Sequence, residues 1–318
     1  MEHKESKERI REKIRRELGK QITDALDNDN VIEIMLNTDG TLWIEEFGKE
    51  MEQIGTLSFS ASKSLIGTVA SYLGTEVSIT HPYLECELPL DGSRFEAMIP
   101  PIVEHPAFTI RKKAKRVFAL DDYVNNQILT LTQKEIIDKC IEERKNILVV
   151  GGTGSGKTTF VNAVIDGIVR ISPSHRLVII EDTAEIQCSA KNKAILRATA
   201  DVSMLQLLKI TMRLRPDRIL VGEVRGREAL DLLKAWNTGH SGGTATVHAN
   251  GALAGLIRME QLIAEGTPAP MRELIAEAVN VVVYIEKVPT MVGRRIKEII
   301  EVTAYDPISQ TYIVKELV

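Results

Sequence analysis

GGTGSGKT, residues 151–158, decides how the rest of the chain reads. It fits the pattern G-x-x-x-x-G-K-[ST]. NILVVGG, which reads as a buried strand, precedes it, and TTFVNAVIDGIV, which reads as a helix, follows it. That strand–loop–helix context gives the pattern its meaning. Glycines let the backbone curl until successive N–H groups face inward and form an anion nest. The start of the helix adds its partial positive charge. Gly151, Gly152, Thr153, Gly154, Ser155, Gly156, Lys157, Thr158 and Thr159 are therefore expected to cradle a nucleotide. Lys157 should reach the β- and γ-phosphates, the Thr158 hydroxyl should ligate Mg²⁺, and Thr159 should stand near the α-phosphate.

Outward from the loop, RLVIIED (176–182), DRILVGE (217–223) and TATVHAN (244–250) read as further buried strands. Short continuous apolar runs alternating with helices indicate a mostly parallel sheet covered on both faces. Ligands of such sheets sit beyond the carboxyl ends of the strands. Glu181 and Asp182 fall at one such end and Glu223 at another. Glu181 is the candidate for polarising an attacking water, and Glu223 for the Mg²⁺ shell. Each can also be a solvated strand-end carboxylate. VVVYIEK, RRIKEIIEV and TYIVKEL, after residue 280, read as closing strands.

The first 120 residues have a different texture. Ile10, Ile14, Leu18, Ile22 and Leu26 recur every four residues with charges between them, which predicts an amphipathic helix. Such a helix can lie on a membrane, but Glu is interspersed with the Lys and Arg and no aromatic anchor is present. Packing on its own domain or on a neighbouring subunit fits better. VIEIMLN and TLWIEEFG flank an Asp39-Gly40 turn, and ELPLDGSRFEAMIPP repeats that design at Asp91-Gly92, with the helical SASKSLIGTVASYLG between. The expected organisation is an α+β domain over 1–120, a linker over 121–130, and an α/β phosphate-loop domain over 131–318. The 318-residue length suits two domains.

Hydrophobic residues form 44% of the chain and charged residues 26%, with a formal net charge of -4. Bulk charge thus does not point to nucleic acid. No apolar run nears the ~18 residues that span a bilayer, and the charged N-terminus is unlike a signal peptide. A cytoplasmic protein is expected. Cys86, Cys140 and Cys188 are scattered and read as buried thiols rather than a disulfide framework or zinc site.

Four motifs in order, GGTGSGKTT, RLVIIEDTAEIQ, RLRPDRILVGEVRG and NTGHSGGTATVHAN, resemble those of the secretion and conjugation ATPases of type II and type IV secretion systems. In that RecA-like family they are the Walker A loop, an acidic box, a Walker B-like strand ending in Glu, and a histidine box. DGSRFEAMIPP and FTIRKKA are similar to the region preceding the core in the conjugation branch. The resemblance implies a hexameric ATPase using ATP and Mg²⁺ to energise type IV secretion during conjugation, for substrate transfer, pilus assembly or both. Its partners would be the coupling protein and another ATPase at the inner-membrane base of the channel, with peripheral membrane contact. The resemblance also implies that Arg94 and Arg111 act on the nucleotide across a domain or subunit boundary, with Arg213 and Arg225 in support. His248 would sense the γ-phosphate, and His240 would belong to the site or to a subunit interface. Surface arginines and structural histidines are the plainer alternatives. The run Arg111, Lys112, Lys113, Lys115, Arg116 can touch nucleic acid, although no aromatic residue is interleaved. A pilus motor, a nucleic-acid translocase and a nucleotide-gated scaffold remain rival readings.

Overall fold

The computed structural model describes residues 2–46, 49–113, 117–199, 201–289 and 292–318, with the side chains of 2–6 excepted. The chain divides into two compact units, Met1–Lys115 and Arg116–Val318.

The first unit runs α1 (Glu2–Asp27), β1 (Val31–Leu36), β2 (Thr41–Glu46), β3 (Glu52–Thr56), α2 (Phe59–Tyr72), β4 (Tyr83–Glu87), β5 (Arg94–Met98) and β6 (Ala107–Arg111). Its six strands form one antiparallel sheet in the order β3-β2-β1-β6-β5-β4. Ile14, Leu18, Ile22 and Leu26 of α1 are all buried, in one cluster with Leu65 and Val69 of α2 and Ile34, Phe95 and Phe108 of the sheet. The apolar stripe of α1 is thus spent on its own domain. The helix is not continuous: Gly19 has φ 72° and ψ 173°, so two helical segments meet there. A glycine tolerates that backbone, and the four-residue apolar spacing survives the break.

The second unit runs α3 (Leu120–Asn125), α4 (Leu131–Glu142), β7 (Ile147–Gly151), α5 (Lys157–Ile171), β8 (Leu177–Glu181), β9 (Lys193–Arg197), α6 (Met204–Thr211), β10 (Arg218–Val221), α7 (Glu228–Asn237), β11 (Thr244–His248), α8 (Ala252–Ala264), α9 (Arg272–Ala278), β12 (Val281–Lys287), β13 (Arg294–Asp306) and β14 (Thr311–Glu316). The sheet order is β14-β13-β12-β7-β11-β10-β8-β9. The six strands from β12 to β9 are parallel; β13 and β14 close the edge antiparallel. Successive residues of β7 serve opposite faces. Ile147 and Val149 join a core with Ile137, Phe160 and Val164, while Leu148 and Val150 join one with Leu232, Trp236, Leu256 and Ile275. With both faces covered, the strand needs no polar alternation. On the second face α8 lies close against β7, because a Cβ on Gly255 would come 2.5 Å from Val150 Cγ1.

Residues 121–130, expected as a linker, hold most of α3, and Leu120, Tyr123 and Leu129 are buried in the second unit's core. Asp121 and Asn125 of that short helix are exposed, while Asp122 accepts from Ala119 N at 2.9 Å at its start. Among the described residues no helix is long and apolar enough to cross a membrane.

Candidate functional site

Because β7, β11, β10 and β8 are parallel, their carboxyl ends fall on one edge of the sheet, and that edge gathers the motifs. Gly151 ends β7, and its Cα partner on β11 is His248. Register alone therefore sets His248 beside the start of the phosphate loop. Beyond β10 the chain stays on the same edge: Thr246 Oγ1 donates to Gly222 O at 2.7 Å, and Val224 N donates to Thr246 O at 2.9 Å. Between those two bonds, Glu223 is delivered to His248.

The loop turns through Gly154 (φ 66°) and Gly156 (φ 94°), both in the left-handed region that favours glycine. Gly156 is also the residue preceding α5 and offers no side chain to cap it, so the first helical N–H groups are left for a ligand. Lys157 is 7% exposed. Its ammonium donates to Gly151 O at 3.0 Å and Gly152 O at 2.9 Å, and lies 3.3 Å from His248 Nδ1. An ammonium can only donate, so Nδ1 accepts and the ring proton sits on Nε2. That nitrogen is 2.9 Å from Glu223 Oε1. The other Glu223 oxygen accepts from Arg225 Nη2 at 2.7 Å, and Arg225 Nη1 bonds Asp182 at 2.5 Å. Lys157, His248, Glu223, Arg225 and Asp182 thus form one chain of alternating partners. Burial, and then the Lys157 charge, hold the His248 pKa below its ordinary value against the pull of Glu223. The neutral ring required by the geometry is therefore also the favoured one. A cleft of about 330 Å³ beside this chain is lined by Glu223, Val224, Arg225, His248 and Arg258.

On the other flank, Thr158 Oγ1 donates to Glu185 Oε2 at 3.0 Å. Asn162 fixes the same turn, donating to Glu185 O at 3.2 Å and accepting from Gln187 N at 3.0 Å. Sequence reasoning missed Glu185. The available signal was a third carboxylate four residues after Glu181 in EDTAEIQ. Glu181 itself is committed elsewhere. It is 1% exposed, and its Oε2 accepts from Glu185 N at 3.1 Å and Ile186 N at 3.0 Å, with Arg197 Nε 3.6 Å from Oε1. Burial raises its pKa despite those donors. Its carboxylate builds the turn that presents Glu185, accepting from two backbone N–H groups of that turn.

The two histidines of NTGHSGGTATVHAN are separated by β11. Five residues at about 3.3 Å each put His240 at the amino end of the strand, where its Nδ1 lies 3.1 Å from Pro216 O. Within the chain His240 is therefore not gathered with Lys157 and Glu223, because the strand between the two histidines is extended. Arg213 is exposed and precedes the amino end of β10, so it too is not gathered with Glu223. The arginine buried at that pole is Arg218, which donates to Gly242 O at 3.0 Å and Ile141 O at 2.9 Å. Beside it, Asn146 Oδ1 accepts from Gly242 N at 2.8 Å and Gly243 N at 3.0 Å.

In the first unit, Arg94 and Arg111 are direct cross-strand partners on β5 and β6 and so share one face of the sheet. Arg94 Nη2 donates to Glu85 Oε1 at 2.7 Å, and Arg111 Nε is 3.8 Å from Glu33 Oε1. Of the neighbouring lysines, Lys112 donates to Ala25 O at 3.0 Å and Lys113 lies 3.4 Å from Glu87. Lys115 and Arg116 lie outside the described residues. Burial raises the thiol pKa of Cys86 to about 12 and of Cys140 to about 11.

A magnesium nucleotide fits this donor set. The loop admits no side chain at its first glycine: a Cβ on Gly151 would collide with Ile285 O and Ser155 Oγ. The Ser155 hydroxyl is buried without a hydrogen-bond partner. A hydroxyl and a carboxylate, Thr158 and Glu185, stand at the loop's end as hard oxygen donors.

Residues 17–303 match the family described as type II/IV secretion system protein. The chain is 52% identical to the probable conjugal transfer protein TrbB of Sinorhizobium fredii, over 96% of this chain and 93% of that one. It is 50% identical to the conjugal transfer protein TrbB of Rhizobium radiobacter, over 93% and 91%. Among solved structures, the ATPase DotB of Legionella pneumophila shares the fold, with TM-score 0.62 at 20% identity over 85% of this chain and 76% of that one.

Proposed function

Because the chain belongs to the type II/IV secretion system protein family, we propose that it is a Mg²⁺-dependent ATPase with a RecA-like core, working as a homo-hexamer to energise type IV secretion during conjugative DNA transfer. The observation that carries this reading is the chain from Lys157 through His248 to Glu223, which ties the phosphate lysine to a carboxylate that can act on water. The nucleotide is held by Gly151–Thr159, with Lys157 on the β- and γ-phosphates. Thr158 and Glu185 are the residues that would hold Mg²⁺, and the metal would supply charge neutralisation on the phosphate oxygens.

Glu223, rather than Glu181, is the carboxylate we assign to orienting the attacking water. His248 Nε2–H fixes one of its oxygens, leaving a lone pair for a water proton. Arg225 holds the other oxygen and links it to Asp182, so Asp182 and Arg225 are positioning residues. When the γ-phosphate draws Lys157, His248 loses its ammonium donor, which is how occupancy would be reported to Glu223. Arg94 and Arg111 act on the γ-phosphate in the assembled ring, their planar forks suiting its oxygens. The place of action is the cytoplasmic side of the inner membrane, with the coupling protein and a second ATPase of the channel as partners.

The experiment is phosphate release by the purified chain with ATP and Mg²⁺. Lys157→Ala should lower the rate by orders of magnitude with the fold intact. Glu223→Gln should bind ATP and hold it unhydrolysed, whereas Glu181→Gln should turn over. Wild-type turnover in Lys157→Ala would end the assignment; trapping by Glu181→Gln alone would return the water to Glu181.

A further inference from the structure

The closing hairpin brings two more cations to the phosphate loop. Lys287, the last residue of β12, and Arg294, the first of β13, are direct cross-strand partners. Residues so paired point to the same face of a sheet, and here that face meets the loop. A Cβ on Gly154 would lie 2.9 Å from Lys287 Nζ, and a Cβ on Gly156 would collide with Arg294 Nη1. The next rung is built differently: Glu286 pairs with Arg295, which donates to it at 2.8 Å, and Lys297 is 3.3 Å from the second oxygen. Opposite charges thus occupy the rung turned the other way, and like charges the rung turned toward the loop.

Like charges directly opposite on a rung repel. The loop beneath them already carries Lys157 and the positive end of α5. Three side-chain cations and a helix start converge on one short turn, a field that attracts a polyanion. We propose that Lys287 and Arg294 are nucleotide-binding residues that neutralise the polyphosphate from the β12–β13 side. The inference rests on the nucleotide-site reading above and adds a second set of phosphate cations, outside the loop and from the far end of the chain.

The test is the affinity of the full chain for ADP and for inorganic pyrophosphate, by calorimetry, at two salt concentrations. Variants are Lys287→Gln, Arg294→Gln, their double, and the charge-keeping Lys287→Arg and Arg294→Lys. Each Gln variant should bind both probes roughly fivefold more weakly, the effect of about one surface charge contact. The double variant should lose more and show a flatter salt dependence, and Lys287→Arg should bind as wild type does. Lys287 is exposed, so its variant separates binding from folding. Wild-type affinity for both probes in a folded Lys287→Gln chain would overturn the inference while leaving the site reading intact. Weakening that Lys287→Arg shares would also overturn it, since shape rather than charge would then be at work. Failure of the wild type to bind ADP would instead remove the site reading itself.

Discussion

In the proposed mechanism His248 acts only while it is neutral. Protonated, it would set an imidazolium against an ammonium 3.3 Å away. Its pKa lies below the ordinary 6.5, chiefly through burial and the Lys157 charge. A lowered folded value keeps the neutral ring as pH falls past 6.5 and gives it up only further down; the arrangement is complete above 6.5 and lost as pH drops through the folded pKa. The acid limb of the turnover profile should therefore lie below pH 6.5, and His248→Gln should lack that limb at a lower overall rate. The same limb in both proteins would assign it to another group. Glu185 makes a separate prediction. Held 3.0 Å from the Thr158 hydroxyl, it should matter to metal affinity, and Glu185→Gln should raise the Mg²⁺ needed for half-maximal turnover by about tenfold. An unchanged Mg²⁺ curve would reduce it to a partner of Thr158. The strand–turn–helix course of the loop was legible in the sequence because its glycines set the turn within eight residues. Glu185 was not, because a turn built on the buried Glu181 decides where it points.

Strand β11 ends at His248 and begins beside a buried polar cluster. At the amino end the buried Arg218, whose pKa is pushed down to about 10 by burial and still leaves it charged at neutral pH, ties β10 to the start of the histidine box and to α4. Arg218→Met should destabilise the protein by about 3 kcal/mol, since buried carbonyls of Gly242 and Ile141 lose their donor; urea unfolding measures it. His240→Ala, at the same pole, should alter turnover far less than His248→Ala, and equal losses would mean that β11 does not separate two roles. The strands were readable as buried because apolar runs on both faces leave no alternation to misread. Their order was not readable: β11 and β10 lie between β7 and β8, and nothing local to those segments states it. Lys287 and Arg294 escaped notice for the same reason, since only the register of β12 with β13 and their fit to the loop give them a role.

At the scale of the whole molecule, each unit has its own core, and the expected site residues are divided between them. If Arg94 and Arg111 serve the nucleotide, a fragment of residues 117–318 should fold, bind ADP, and hydrolyse ATP at less than about a hundredth of the full chain's rate, given what an arginine at a γ-phosphate contributes. Full activity in that fragment would confine the site to the second unit. The two-domain plan was visible as a change from hairpins to buried runs. The join was harder to place, because α3 is half polar in sequence and too short to show a period, and it is recognised as part of the second unit by where Leu120 and Tyr123 are buried.

The flat seating of α8 on β7 at Gly255 has a consequence for genetics. An alanine at Gly255 would press its methyl against Val150 Cγ1 at 2.5 Å, one residue before the phosphate loop begins, and so would mimic a site mutation from a distance. The obstacle is a side-chain methyl rather than backbone, so a shortened partner removes it. A selection for revertants of Gly255→Ala should return Val150→Ala as an intragenic suppressor. Gly151→Ala, which would collide with the backbone oxygen of Ile285, should return no suppressor at residue 285, because every residue there keeps that oxygen.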